Sequence, residues 1–304
     1  MTKKEHWSVK QLRKLRSALG QYTNPMVTEM MDNVEDMEGS DLYLVEVATF
    51  FSPEPIGLAH IYQRAPYTNP EEHKERLIGS AERGWLEKSG DSGYTASEKG
   101  ATFYAHFIKA YKDELAEVES LADDELDRIE VLLGMVVNAA KRTTEVRHKP
   151  ALEFSSKELV APDAAAIQRV QLLIVHLLAY RDDTHVASWS PHKLEGITWE
   201  SFSDVWQGKI TNAAELIEKR PFRGYELEDY AAALEDLARR GWLEVKEGSF
   251  VITEEGRRIR EEAEELTNKY YDAAWVGLSK EDIEELKDLF QKLAEKHEPE
   301  KVLA

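Results

Sequence analysis

Cysteine is absent from all 304 residues, which excludes disulfides, thiolate metal sites and cysteine nucleophiles and fits an intracellular setting. Long apolar runs are absent too. The longest, Leu172 to Ala179, is interrupted by His176 and falls far short of the roughly 20 residues a membrane-spanning helix needs. The start, Met1-Thr2-Lys3-Lys4-Glu5-His6-Trp7, is charged and lacks the apolar core of a secretory signal. Neither common glycine-rich phosphate loop occurs, so nucleotide chemistry has no support. Basic residues are scarce, 39 against 58 acidic ones, for a net charge of −19. Nonspecific grip on a phosphate backbone needs concentrated Lys and Arg, so only a local patch could supply it. The expectation is a soluble, cytoplasmic protein without cofactor or membrane partner.

What the chain does contain is a repeat. Arg83-Gly84-Trp85-Leu86-Glu87 returns as Arg240-Gly241-Trp242-Leu243-Glu244, 157 residues later. A helix-like stretch leads into each copy, Glu71 to Glu82 and Glu226 to Arg239. A glycine-containing turn follows, then Ser97-Glu98-Lys99-Gly100 in one and Thr253-Glu254-Glu255-Gly256 in the other, each opening a long helical run. After that run Leu121-Ala122-Asp123-Asp124-Glu125-Leu126 answers Leu278-Ser279-Lys280-Glu281-Asp282-Ile283. Three landmarks at one offset, to within a residue, read as a duplicated unit. The length permits two lobes of about 150 residues, each with its own core. The boundaries are 1–142, a linker at 143–160 where charge, serine and proline mix without period, and 161–304.

Element signals agree between the halves. Ser8 to Leu19 reads as a helix ended by Gln21 to Asn24 and Pro25. Leu42 to Phe51 is compact and apolar, and Ile56 to Gln63 is a short helix. Asn69-Pro70 is a cap with proline at the first helical position. Trp85 to Glu87 and Gly93 to Thr95 form a hairpin. Glu98 to Val118 and Asp124 to Lys141 are amphipathic helices. In the second half Ala164 to Tyr180 is an apolar helix that Asp182 and Asp183 terminate. Trp199, Phe202 and Trp206 share a helical face, where the first half has Leu42, Val45 and Thr49. Ala213 to Glu218 is short, and Leu243 to Val245 pairs with Phe250 to Ile252 before the closing helices.

Three helices, a hairpin and a long helix is the winged-helix order, in which the helix before the hairpin is the one that enters a major groove. Each lobe resembles the MarR-type winged-helix family, through its leucine-rich helix, Arg-Gly-Trp-Leu and the later Ser/Thr-x-x-Gly. The second lobe also resembles SalK-like helix-turn-helix proteins, through Arg181-Asp182-Asp183-Thr184-His185-Val186-Ala187 and the run from Tyr230 through Gly256 to Trp275. The MarR resemblance implies terminal helices that form a dimer interface and a wing arginine that reaches a minor groove; the SalK resemblance implies no particular activity. Here the wings depart from the pattern. They read Glu87-Lys88-Ser89-Gly90-Asp91-Ser92-Gly93 and Glu244-Val245-Lys246-Glu247-Gly248-Ser249, with no arginine.

The expected fold is mainly α with small β-hairpin wings, two tandem winged-helix lobes forming an intramolecular pseudo-dimer. Candidate DNA contacts are Lys74, Arg76, Lys88, Lys246, Arg239 and Arg240. His73 and the N-terminal cluster of Lys3, Lys4, Lys10, Arg13, Lys14 and Arg16 add positive charge. Against them the second reading helix carries Glu226, Glu228, Asp229, Glu235 and Asp236, each of which repels phosphate. Candidate ligand contacts are His185, Trp189, Trp199, Phe202 and Trp206, an aromatic group of the kind that lines small-molecule cavities or fills cores. His176, His185 and His192 with Asp182 and Asp183 match no compact zinc spacing, and no metal is expected. Gly90-Asp91-Ser92-Gly93 resembles a serine nucleophile's surroundings but sits at a hairpin tip, where turn residues belong.

These readings lead to a MarR-like transcriptional regulator, a monomer with an internal pseudo-twofold, that binds duplex DNA under control of a small apolar molecule. The alternative is a winged-helix protein that no longer binds DNA and holds a small molecule or a protein partner. An enzyme using His185 with Asp182 or Asp183 is a third reading, and no enzyme is expected.

Overall fold

The computed structural model describes residues 5–161 and 163–298. Lys3 and Lys4, and the outermost ends of both expected lobes, lie outside the described residues. The chain is mainly helical, with two small antiparallel two-stranded sheets among the described residues. The first half runs α1 (Trp7–Asp32), α2 (Gly39–Phe51), α3 (Leu58–Tyr62), α4 (Pro70–Glu82), β1 (Leu86–Ser89), β2 (Gly93–Ala96), α5 (Glu98–Ala116) and α6 (Asp123–Arg142). A short α7 (Pro150–Ser155) follows. The second half runs α8 (Ala166–Trp189), α9 (Gly196–Trp206), α10 (Ala213–Lys219), α11 (Leu227–Arg239), β3 (Leu243–Lys246), β4 (Ser249–Ile252), α12 (Glu254–Asp272) and α13 (Lys280–Lys296). No helix among the described residues is long and apolar enough to cross a membrane.

The repeated sequence landmarks build one joint twice. Gly84 and Gly241 adopt φ of 77° and 75°, the left-handed position that closes a helix and that glycine takes without strain. The following tryptophan amides reach back to the helix, Trp85 N to Ser80 O at 2.9 Å and Trp242 N to Leu237 O at 3.0 Å. Ser97 Oγ donates to Gly84 O at 2.7 Å and accepts from Gly100 N at 2.9 Å. Thr253 Oγ1 donates to Gly241 O at 2.7 Å and accepts from Gly256 N at 3.0 Å. A Cβ on Gly100 would lie 2.3 Å from Trp85 O, and one on Gly256 2.1 Å from Trp242 O. The spacing of Arg-Gly-Trp-Leu from Ser/Thr-x-x-Gly is therefore the geometry of a hairpin locked onto the next helix.

The largest core gathers apolar side chains from α1, α5, α6, α8, α12 and α13, such as Leu15, Leu133, Ile174 and Phe290. It is supplied by both halves. Each hairpin-bearing head has a smaller core of its own, one around Val45, Leu77 and Trp85, the other around Trp199, Phe202 and Leu234.

Three local expectations are corrected. α1 does not stop before Pro25 but continues to Asp32. Pro25 lies on the exposed side, so water can take the carbonyl that its ring leaves unbonded. α8 does not end at Tyr180. Arg181, Asp183, Thr184, Ser188 and Trp189 are buried as the helix runs on, and Asp183 serves another element: its oxygens accept from Ala151 N at 3.0 Å and Leu152 N at 2.9 Å. That carboxylate caps α7, which occupies the stretch expected to be a plain connector. Leu152 and Phe154 are buried there. Lys149 Nζ donates to the carbonyls of Ala140, Lys141 and Thr143 at 2.8–2.9 Å, closing the end of α6 in the manner of a cationic C-terminal cap.

Candidate nucleic-acid interface

α4 and α11 are the helices that precede the two hairpins. Asn69 caps α4, its Oδ1 accepting from Glu71 N at 3.0 Å, and Leu77 and Ser80 anchor its inner side. At the start of α11 Asp229 Oδ2 accepts from Glu226 N at 2.9 Å. Tyr230, Ala233, Leu234 and Leu237 face inward, which leaves Glu228, Asp229 and Glu235 exposed. Outward-facing charge on α11 is thus acidic over most of its length.

The candidate cations are mostly paired. Lys74 meets Glu71 at 3.1 Å and Arg76 meets Glu72 at 2.7 Å. Lys246 meets Glu244 at 2.7 Å, while Arg239 and Arg240 both engage Asp236, at 3.0 and 2.7 Å. Exposed pairs of this kind are weak, about 0–1 kcal/mol, yet each cancels the field that would attract phosphate. Lys88 stands exposed on β1. It and Lys74 line one open groove between α4 and the first hairpin, so the structure brings those two together and leaves the others apart.

The two heads touch where α4 and the loop leading into it meet the turn that precedes α11. Asn69 N donates to Arg223 O at 2.9 Å and Asn69 Nδ2 to Gly224 O at 2.7 Å. Arg76 donates to Phe222 O at 2.7 Å, and Arg223 to Thr68 Oγ1 at 3.1 Å. Arg223 is itself held by Glu200 at 2.7 Å. The backbones approach too closely for side chains. A Cβ on Gly196 would fall 1.9 Å from Pro66 O, and one on Gly224 2.6 Å from Glu72 Cβ. Gly224 precedes the start of α11 by three residues, and consecutive Cα atoms are about 3.8 Å apart. The N-termini of α4 and α11 therefore lie no more than about 20 Å apart. Sequence reasoning missed this contact. Its only trace is Arg220-Pro221-Phe222-Arg223-Gly224, an unrepeated arginine-rich turn.

The aromatic candidates are engaged with one another. Trp199 and Phe202 are fully buried. Trp189 stacks on Trp199 with centroids 5.7 Å apart, and His192 stacks on its ring at 5.8 Å. The guanidinium of buried Arg260 lies 4.8 Å from the Trp199 ring and 4.6 Å from Trp206, a cation held between two π-faces. Trp189 Nε1 also donates to Tyr67 Oη at 3.0 Å, tying this cluster to the first half. His185 sits among Glu264, Arg260 and Arg181, and burial lowers its pKa to about 4.

His176 packs against Ser155, Nδ1 to Oγ 3.2 Å, and burial lowers its pKa to about 4 as well. Both oxygens of Asp183 are committed to α7. No group of three His, Asp or Glu able to hold a metal occurs among the described residues. Asp91 and Ser92 stand at the first hairpin tip behind Gly90, whose φ is 67°.

A helix-turn-helix family matches residues 101–304, the greater part of the chain. No curated protein and no solved structure matches it.

Proposed function

The chain belongs to a helix-turn-helix family, and we propose that it is a single-chain winged-helix pseudo-dimer whose heads are closed on each other and hold a small molecule or protein partner instead of duplex DNA. One observation carries the reading: the bonds from Asn69 to Arg223 and Gly224. A two-fold reader places its helices in successive major grooves, about 34–36 Å apart, and these helix N-termini lie no more than about 20 Å apart. The carboxylates of α11 and the paired cations act in the same direction. Support for internal pairing comes from the joint built twice and from the central core that both halves supply. No catalysis is part of this reading, since fold alone does not establish function.

The second reading is a MarR-like regulator that binds DNA in an opened form under control of a small apolar molecule. Family membership and the Lys74–Lys88 groove favour it. Fluorescence anisotropy with random duplex DNA separates the two. The closed reading expects no binding at about 20–50 mM salt; binding there with a steep salt dependence overturns it.

A further inference from the structure

A polar cavity of about 500 Å³ lies where α1 and α5 of the first half meet α8 of the second. Its walls carry an unusual charge for this protein. Arg13, Arg16 and Arg181 all line it, in a chain whose net charge is −19. Arg181 is 5% exposed. Its nearest carboxylate oxygen, on Glu5, is 3.9 Å away, and its Nε has no hydrogen-bond partner. Arg13 shares Glu5 at 2.9 Å, so one carboxylate serves two guanidinium groups. Arg16 has no ion pair among the described residues.

One buried acceptor in the same walls is also unfilled. Gln171 is buried and its Oε1 has no partner. Asp182 also lines the cavity but is exposed; it has no hydrogen bond or ion pair among the described residues, and four arginines act on it from a distance. Buried polar groups without partners cost free energy, and planar guanidinium forks match carboxylates in two-bond geometry. A buried unfilled donor on Arg181 therefore shares one cavity with a buried unfilled acceptor on Gln171.

We propose that this cavity binds a small organic acid bearing a hydroxyl or amino group next to its carboxylate. The carboxylate meets Arg181, Arg16 and Arg13, and the hydroxyl or ammonium donates to Gln171 Oε1 and Asp182. Leu178 and the Tyr111 ring take the apolar remainder. Asp182 disfavours a dianion such as hydrogen phosphate, which would bring a second charge of the same sign against its carboxylate. The proposal deepens the closed, ligand-holding reading by naming the ligand's class and its place, and it replaces the aromatic cluster of the second head as the binding site.

The test is calorimetric titration of the full chain with lactate, alanine, mandelate and phenylalanine, alongside their plain-acid counterparts propionate, phenylacetate and 3-phenylpropionate, and inorganic phosphate. A hydroxy or amino acid is expected to bind at least ten times tighter than its plain-acid counterpart. Arg16→Ala, at an exposed position, is expected to weaken that binding tenfold or more with an unchanged melting temperature, and Asp182→Asn to abolish the preference over plain acids. Binding of phosphate alone, binding indifferent to both substitutions, or no binding by any hydroxy or amino acid overturns the proposal. DNA anisotropy on the same preparation reports independently on the closed-head reading.

Discussion

At the scale of single residues, stability rests on a few positions where geometry leaves no freedom. Gly256→Ala drives a methyl group into the Trp242 carbonyl, 2.1 Å away. A loss of about 2–4 kcal/mol is expected by urea unfolding, in line with forced overpacking. Gly248, at φ 80° with open space around it, should lose only about 1 kcal/mol on the same change. Protonation is equally local. Burial raises the Asp183 pKa to about 7 despite its two amide bonds, so between about pH 4 and 7 the folded chain keeps a proton that the unfolded chain has released. That carboxyl makes stability fall as pH rises through the window. His176 and His185, both lowered to about 4, act oppositely, because the unfolded chain binds their protons first as pH drops below about 6.5. Urea unfolding at several pH values from 4.5 to 6.5 should therefore show a steeper rise with pH in Asp183→Asn and a shallower one in His176→Gln. The reverse ordering would contradict the burial argument.

At the scale of elements, the hydroxyl that locks each hairpin to its next helix is the sharpest comparison between the halves. Ser97→Ala and Thr253→Ala each remove a helix cap and should each cost about 1 kcal/mol, measured as paired shifts in the urea midpoint. Unequal losses would mean that the two joints differ in more than sequence. These joints were legible beforehand, because Arg-Gly-Trp-Leu and Ser/Thr-x-x-Gly report local backbone demands. The extension of α8 and the existence of α7 were not. Asp182 and Asp183 read as a helix stop, and 143–160 as a linker without period, until the fold takes Arg181, Asp183 and Lys149 inside. Likewise the unfilled groups of Arg181 and Gln171 announce themselves only when two helices bring residues 13, 16, 171 and 181 to one cavity.

At the scale of the whole molecule, the contact between heads decides what the protein can reach. Gly196→Val forces a side chain into Pro66 and should part the heads while leaving the central core intact. Small-angle scattering should register a larger radius of gyration, and DNA anisotropy on that variant asks whether closure alone withholds binding. The charge on α11 predicts that it still binds poorly. Beyond the turn at 220–224 little in the sequence flagged this arrangement, since Pro66 lies far from Gly196 and Gly224 in the chain.

The core shared by both halves has one more consequence. In a pair of separate identical chains, each amino-acid change appears on both sides of the seam and must suit both at once. Here one polypeptide writes both sides of the seam, so Leu15 and Leu133 on one side can change without any matching change in Ile174 and Phe290 on the other.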